Sequence, residues 1–548
     1  MTSSFLSEEK RQIARNLLKQ RGLAGTQQHA IPRCNDAGSA PLSFAQQRLW
    51  YHEQLHPNSG LFNTPIVVEL KGDLNTIALA RALDQIIERH EVLRTVFRVV
   101  DGEPCQLIQT AYSIPLPVED LSYLPLEKER YQIAMKSAED SVRASIDLSN
   151  GPVFHARLIK LDEQCWWLLV ICHHIVFDGV SMSIFLKELA AWYTANTGQG
   201  SPLPPLPVQY GDFARWQRSK DMEVRLDEQL IWWMQKLKNA PAFLALPTDR
   251  PRPPVQSFRG NSCTFTISAE VRTDVEAFAR ASGVTTFVVL ASALKLLLYR
   301  LTGQSDLIIS TGVATRQYKE VEDLVGCFIN VLLLRTELSG ALTCDELVQR
   351  VSETSMSAFA HQDLPFERLV TALSPERDLS YNPLAQVMIV HHNAGIEEPE
   401  LTGIRMRRVM PEKLIAQYDL LLHLIPSDGE LQSRLEYSAD LFDGSTAERM
   451  CEQYVHLLRE ILERPQADIN AVPLLPQRQV DAILALNKGP AAFPHDRCIH
   501  SLIEDRVVKH PNAPAIETVD SVVSYAELNR DANKLAHRCE SLVYAAAT

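Results

Sequence analysis

Apolar and polar positions along this chain switch repeatedly between helical spacing and short apolar runs. Leu79, Leu83, Ile86 and Ile87 share one face of a helix predicted over 76–90. Leu226, Leu230, Trp233 and Leu237 do the same after Gln217, and Met450, Tyr454, Leu457, Leu458 and Ile461 over 446–462. Further helices are predicted near 125–145 and over 270–282, the latter closed by Gly283. The segment 285–301 is apolar almost all round, which predicts a deeply buried helix. Strands are predicted at 61–70, 96–100, 152–161, 262–267, 306–313, 331–335, 384–390 and 432–437. Such strand–helix alternation places the chain in the α/β class.

One stretch organises the rest. The unbroken run Trp166–Cys172 predicts a buried strand, and it leads straight into His173-His174-Ile-Val-Phe-Asp178-Gly179-Val180-Ser181. Ile184, Phe185 and Leu189 then repeat at helical spacing, with Ser181 where the N-cap is expected. Asp178-Gly179 supplies the bend between strand and helix, glycine tolerating backbone angles that other residues resist. A histidine here exchanges protons near neutral pH and suits the deprotonation of a nucleophile. Asp178 is too charged to be buried without an arginine or a hydrogen-bond network. A pair of satisfied core histidines beside a turn fits the same residues. A shared metal does not, since adjacent strand residues point to opposite faces.

Composition narrows the options. The chain has 548 residues, enough for several domains or lobes, with 46% hydrophobic and 22% charged residues. A net charge of −13 gives a nucleic-acid partner no support. Residues 1–25 carry no basic-then-apolar leader, and no apolar run is long enough to span a membrane, Lys295 interrupting the longest. Ten cysteines without a C-x-x-C pair fit free thiols in a reducing, cytoplasmic setting. Proline-dense segments at 201–207 and 246–254 read as stiff connectors, so a lobe boundary is expected near 220. A second pair, His391-His392, lacks a following Asp-Gly and reads as polar residues at a strand end.

The His173-His174-x-x-x-Asp178-Gly179 stretch resembles the core motif of nonribosomal peptide synthetase condensation domains, within the chloramphenicol acetyltransferase-like superfamily. Other stretches resemble that family's motifs in the family's order: 43–50 (SFAQQRLW), 89–97 (RHEVLRTVF), 210–217 (YGDFARWQ), 325–332 (VGCFINVL), 361–367 (HQDLPFE) and 377–383 (RDLSYNP). The resemblance covers about 40–475. It implies two chloramphenicol acetyltransferase-like lobes forming a V-shaped pseudo-dimer around a central cleft. The expected organisation is a helix and linker at 1–40 (a possible docking element), a first lobe at 41–220 and a second at 221–475. A linker at 476–490 and a truncated start of an adenylation domain at 491–548 follow, the latter resembling that domain at 499–516 and 523–528.

The activity implied is acyl transfer. An acyl or peptidyl thioester on one carrier protein would be attacked by the amine of an aminoacyl thioester on another, forming an amide. His174 would stand beside the amine, as base or positioning group, with His173, Asp178 and Gly179 completing the catalytic motif. Arg94, by motif position, is assigned as the salt-bridge partner of Asp178, with Arg89 second and Ser181 in support. Val180, where the family often has Trp, is assigned with Asn330 and Arg316 to the substrate cleft. Phosphopantetheine belongs to the partner carriers; no intrinsic cofactor or metal is implied, and the isolated piece is expected to be a monomer. Asn330-Val331 and Tyr381 also depart from the usual pattern, while the opening motif looks most like the subtype joining L-donors to L-acceptors. An epimerisation domain of the same fold and a non-catalytic platform that recruits carriers are the alternatives.

Overall fold

The computed structural model describes residues 30–34, 38–57, 59–373, 378–392, 399, 401–409, 415–427, 429–486 and 496–546. The predicted N-terminal helix, with its possible docking role, lies outside them. The chain divides into two compact units, Met1–Pro476 and Gln477–Thr548.

The first unit opens with β1 (Ser39–Pro41), α1 (Phe44–Leu55), β2 (Asn63–Gly72), α2 (Thr76–Arg89), β3 (Thr95–Val100), β4 (Glu103–Ile108), β5 (Val118–Asp120) and α3 (Glu127–Val142). Then come β6 (Phe154–Asp162), β7 (Cys165–His173), α4 (Gly179–Asn196), α5 (Tyr210–Gln217) and α6 (Lys220–Lys236). The later part holds β8 (Gly260–Ile267), α7 (Ala269–Ala281), α8 (Thr286–Thr302), β9 (Asp306–Ala314), β10 (Ile329–Glu337), α9 (Cys344–Ala360) and α10 (Phe366–Leu373). It ends with β11 (Val387–His391), β12 (Ile404–Val409), β13 (Leu420–Ser427), β14 (Glu430–Ser438) and α11 (Gly444–Glu463).

Two mixed sheets organise this unit. The five-stranded sheet runs β12-β2-β7-β6-β5 and the six-stranded one β10-β9-β11-β13-β14-β8. Each lies in its own apolar core, one built mainly from residues before 220 and the other from Met222 onward. This is the two-lobed α/β architecture of the chloramphenicol acetyltransferase-like fold. β7 is central in its sheet, antiparallel to β2 and β6. Both its faces are covered, which is why its sequence is a continuous apolar run rather than an alternating one.

The division at 220 is not clean. β12 comes from the second half yet pairs antiparallel with β2 at the edge of the first sheet, Ile404 opposite Gly72 and Val409 opposite Val67. Its Arg407 Nε donates to the buried Glu69 at 3.1 Å. Residues 318–328 likewise send Tyr318, Val321, Leu324 and Phe328 into the first core. Two predicted linkers are partly structured: Ser39–Pro41 pairs with β4, and Gln477–Leu486 is a helix. In the second unit this helix, α12, is followed by α13 (Ile499–Lys509), the hairpin β15 (Pro514–Glu517) and β16 (Val522–Ser524), and α14 (Tyr525–Ala546). Among the described residues no single helix is long and apolar enough to cross a membrane.

α8 is buried as its sequence predicts, and it carries Lys295 into the second core, fully buried, with Nζ 2.6 Å from the Leu334 carbonyl. Burial lowers this ammonium from 10.5 to about 7. The folded state therefore holds fewer protons than the unfolded chain between these values, and stability should rise with pH across that window. The full shift corresponds to about 5 kcal/mol of charge-burial cost below pH 7. Lys295→Met should flatten this rise and stabilise the protein most at the acidic end, as read by denaturant unfolding at a series of pH values.

Candidate active site

β7 ends in a hooked backbone. The His173 amide donates to Val153 O at 3.1 Å and the His174 amide to Phe62 O at 2.7 Å, which fixes both histidines at the sheet's rim. The chain then closes a 3₁₀ turn at His174–Val176. His173 is 2% exposed, and its Nδ1 accepts from the Ile175 amide at 3.1 Å. In the neutral ring the proton therefore sits on Nε2, which faces Glu53 Oε2 on α1 at 3.7 Å. His173 is thus buried and engaged in shaping the turn. His174 is partly exposed. The two rings differ as neighbours on a strand should.

Asp178, not Ser181, is the N-cap of α4, its Oδ1 accepting from the Ser181 amide at 2.8 Å. The same oxygen faces Ser181 Oγ at 2.8 Å, while Oδ2 accepts from the Phe328 amide at 2.9 Å. The counter-ion is Arg316, whose Nη2 reaches Oδ1 at 3.1 Å and Oδ2 at 3.3 Å. Burial pushes the carboxyl up, but Arg316, the two amides and the hydroxyl outweigh it, so the pKa stays below the ordinary value. Arg316 also donates to Val321 O and Leu324 O and stacks over the Phe328 ring at 4.0 Å.

This overturns the assignment of Arg94 and Arg89 to Asp178. Arg94 donates to Gln109 O and faces Glu91, and Arg89 Nε binds Glu188 Oε1 at 2.8 Å. Both arginines are committed to neighbours near the end of α2, whereas Arg316 arrives from the loop after β9. With 6% of its side chain exposed, Arg316 is a bracket under the motif and not a cleft wall. Asn330 is committed too. Its Nδ2 donates to Gln362 O and Leu364 O, and its Oδ1 accepts from the Phe366 and Val331 amides, which exhausts the amide. Val180 is half-buried against the first core. Gly179 is the first residue of α4, and a Cβ there would meet nothing within 4 Å. Its backbone is not left-handed, so open space beside the helix start, rather than a forbidden bend, distinguishes this glycine.

The scattered motifs converge on this loop. Ser181 Oγ accepts from the Gly326 amide at 3.0 Å. Tyr210 OH donates to Cys327 O at 2.5 Å and contacts Ser43 Oγ at 2.8 Å. Gln46 Nε2 donates to Ile175 O at 3.3 Å. His90 accepts from the Val325 amide at Nδ1, and its Nε2 donates to Glu188 on α4 at 2.9 Å. Arg48 pairs with Glu367 at 3.3 Å. A small pocket is walled by Phe44, Phe213, Phe328, Asn330, Asp363 and Glu367; His174 is not one of its walls. His391 and His392, lowered to about 4 and about 3 mainly by burial, stay neutral at the end of β11.

Gly326 is where these contacts are tightest. A Cβ on it would stand 2.2 Å from Tyr210 Cδ2 and 2.9 Å from Phe328 Cε2. Gly326→Ala should therefore cost about 1–3 kcal/mol through overpacking and displace the loop that holds Asp178. Thermal unfolding checks the first effect, and lowered acyl-transfer activity the second.

The condensation-domain family model matches residues 36–484. The chain belongs to the condensation-domain family. It is 38% identical over 518 residues to a linear gramicidin synthase of Brevibacillus parabrevis, covering 94% of this chain but 7% of that protein, so it spans a small part of that relative's length. Its fold matches the X-domain from teicoplanin biosynthesis with a TM-score of 0.72 at 26% identity, over 82% of this chain and 99% of the other. It also matches a four-domain nonribosomal peptide synthetase bound to AMP and glycine, with a TM-score of 0.76 at 22% identity, over 92% of this chain and 39% of that one. As a condensation domain of the nonribosomal peptide synthetase kind, the chain is an acyltransferase that forms peptide bonds. The buried Asp178–Arg316 pair and the partly exposed His174 both lie within the residues that the family model covers.

Proposed function

We propose that this condensation domain joins an acyl or peptidyl thioester donor to an aminoacyl thioester acceptor, each delivered on the phosphopantetheine arm of a carrier protein, with both residues L-configured. The observation that carries this reading is the rigid support under His174. Asp178 is tied by Arg316, Ser181 and the Phe328 amide, while His174 itself remains partly exposed at the end of the strand. An α-ammonium group has a pKa near ~8, so little base strength is needed to free the amine. His174 would hold the amine against the donor carbonyl and take its proton as the C–N bond forms. The carrier's thiolate then leaves as the tetrahedral intermediate collapses. Holding the two reactants together lowers the barrier by several kcal/mol in itself, on the order of the effective-molarity gain.

We further infer that residues 491–548 are the start of an adenylation domain, and that a cytoplasmic setting suits the free thiols of the chain. A second reading is a platform that recruits partners without chemistry; an X-domain from teicoplanin biosynthesis, matched with a TM-score of 0.73, is described in complex with OxyB. The subtype is tested by offering one donor carrier with an L-residue and another with its D-epimer to the same L-aminoacyl acceptor. The L-donor should be consumed at least about tenfold faster, a discrimination of about 1.4 kcal/mol. Equal rates overturn the subtype. Exchange of deuterium into the α-carbon without transfer points to epimerisation.

A further inference from the structure

Far from Asp178 in sequence and in the second core, two thiols face each other. Cys263 lies on β8, the edge strand of the six-stranded sheet, opposite Leu435 of β14. Cys451 lies on α11, which packs on that strand. Their Sγ atoms are 3.0 Å apart, one thiol donating to the other across 188 residues of chain. Cys451 is 5% exposed, whereas Cys263 is only partly covered. No function described above uses either sulfur. We propose that Cys263 and Cys451 form a peroxide-sensitive dithiol site, Cys263 reacting first with a hydroperoxide and Cys451 resolving it to a disulfide that staples β8 to α11.

The environment assigns the two roles. The hydrogen bond from Cys451 lowers the Cys263 pKa, against burial and the Glu448 charge, which raise it. Cys451 is raised by that same bond, by burial and by Glu448 and Glu452. The thiolate, which is the nucleophile, therefore resides on the more accessible sulfur. In the first step the Cys263 thiolate attacks one peroxide oxygen. The O–O bond breaks, the second oxygen leaves as water or alcohol once protonated, and Cys263 becomes a sulfenic acid. In the second step the Cys451 sulfur attacks the Cys263 sulfur, the S–O bond breaks and water leaves. Two thiols are oxidised to one disulfide, and one peroxide is reduced. The short sulfur–sulfur approach means that neither β8 nor α11 has to travel for the second step.

The test uses the full chain carrying Cys34→Ser, Cys498→Ser and Cys539→Ser, which removes the exposed thiols. It is treated with hydrogen peroxide, alkylated and digested without reductant. The expected result is one cross-linked peptide pair joining Cys263 to Cys451, with both free thiols lost in step and both recovered with dithiothreitol. Adding Cys451→Ser should abolish the link and leave Cys263 as a sulfenic acid that dimedone traps. Because a change at buried Cys451 risks misfolding, Cys263→Ser is the second variant; it should leave Cys451 unreactive and the folded midpoint near that of the reduced parent. The oxidised parent should melt at a higher temperature than the reduced one, and the Cys263→Ser variant should show no such shift. Recovery of both peptides unlinked, or of Cys263 as a sulfinic acid in the parent, overturns the proposal.

Discussion

Arg316→Ala should be the most damaging single change outside the apolar cores, at about 3–5 kcal/mol of lost stability, because it strands a buried carboxylate. Asp178 is 2% exposed, and Arg316 is its counter-ion. The same guanidinium bridges the Val321 and Leu324 carbonyls and meets Ser181 Oγ at 3.1 Å, so its loss also frees the loop over 318–328. Lysine should not rescue it, since one ammonium cannot span that fork of acceptors. The pH dependence has a definite sign. In the unaltered protein the Asp178 carboxyl is held below its ordinary value, so its contribution is present at neutral pH and lost as pH falls through that depressed value. Without Arg316, burial raises the carboxyl instead, and the deficit relative to the unaltered protein should shrink on acidification. Arg94→Ala is the control: its bonds to Gln109 O and Glu91 are peripheral, and about 1 kcal/mol or less is expected. Denaturant unfolding of both variants over a pH series reads all three effects. Equal losses for Arg94→Ala and Arg316→Ala would return the salt bridge to the motif-based assignment.

His174→Ala should leave the fold nearly intact and lower kcat by about 10²–10⁴, the usual range for a group that handles a proton in the transition state. The ring is partly exposed, and its backbone amide, not its side chain, makes the bond to Phe62 O that ends β7. The unfolding midpoint is therefore expected to hold while turnover collapses. His173→Ala should show the reverse emphasis, with stability lost because the ring's Nδ1 caps the turn at Ile175. His174→Asn separates the two roles of His174. If the ring positions the amine by hydrogen bonding, Asn should recover part of the rate with a flattened pH profile; if it accepts the proton, Asn should be as slow as Ala. Single-turnover rates across pH make the distinction, provided both carriers are saturating.

Where sequence was informative, one physical cause acted over a short span. β7 was legible because a strand covered on both faces leaves a continuous apolar run, and α8 because a buried helix leaves an all-round apolar pattern. His174 was legible because the motif's spacing places it just past the end of that strand. What failed were the long-range partners. Nothing between 170 and 182 states that the acceptor sites of Asp178 will be filled from 316 and 328, more than a hundred residues downstream. Arg94 was chosen by its place in a motif, yet the topology carries the β9–β10 loop, not the end of α2, under the helix start. β12 was missed for a similar reason, since Ile404–Val409 carries Arg405, Arg407 and Arg408 and reads as polar. Its pairing with β2 decides its conformation, and Arg407 finds Glu69 only once that pairing exists. Ser181 looked like the helix cap because its type fits; three residues earlier, Asp178 fits as well and also binds the arginine.

The chemistry proposed for His174 is the formation of an amide between two carrier-bound thioesters. Intact-protein mass spectrometry of a loaded donor carrier and a loaded acceptor carrier tests it most directly, with the unaltered chain and with His174→Ala side by side. The acyl mass should leave the donor carrier and appear on the acceptor carrier with the unaltered chain, and the variant should transfer at least about a hundredfold more slowly. Transfer at equal rates by both proteins, or carrier binding without transfer by either, would contradict it.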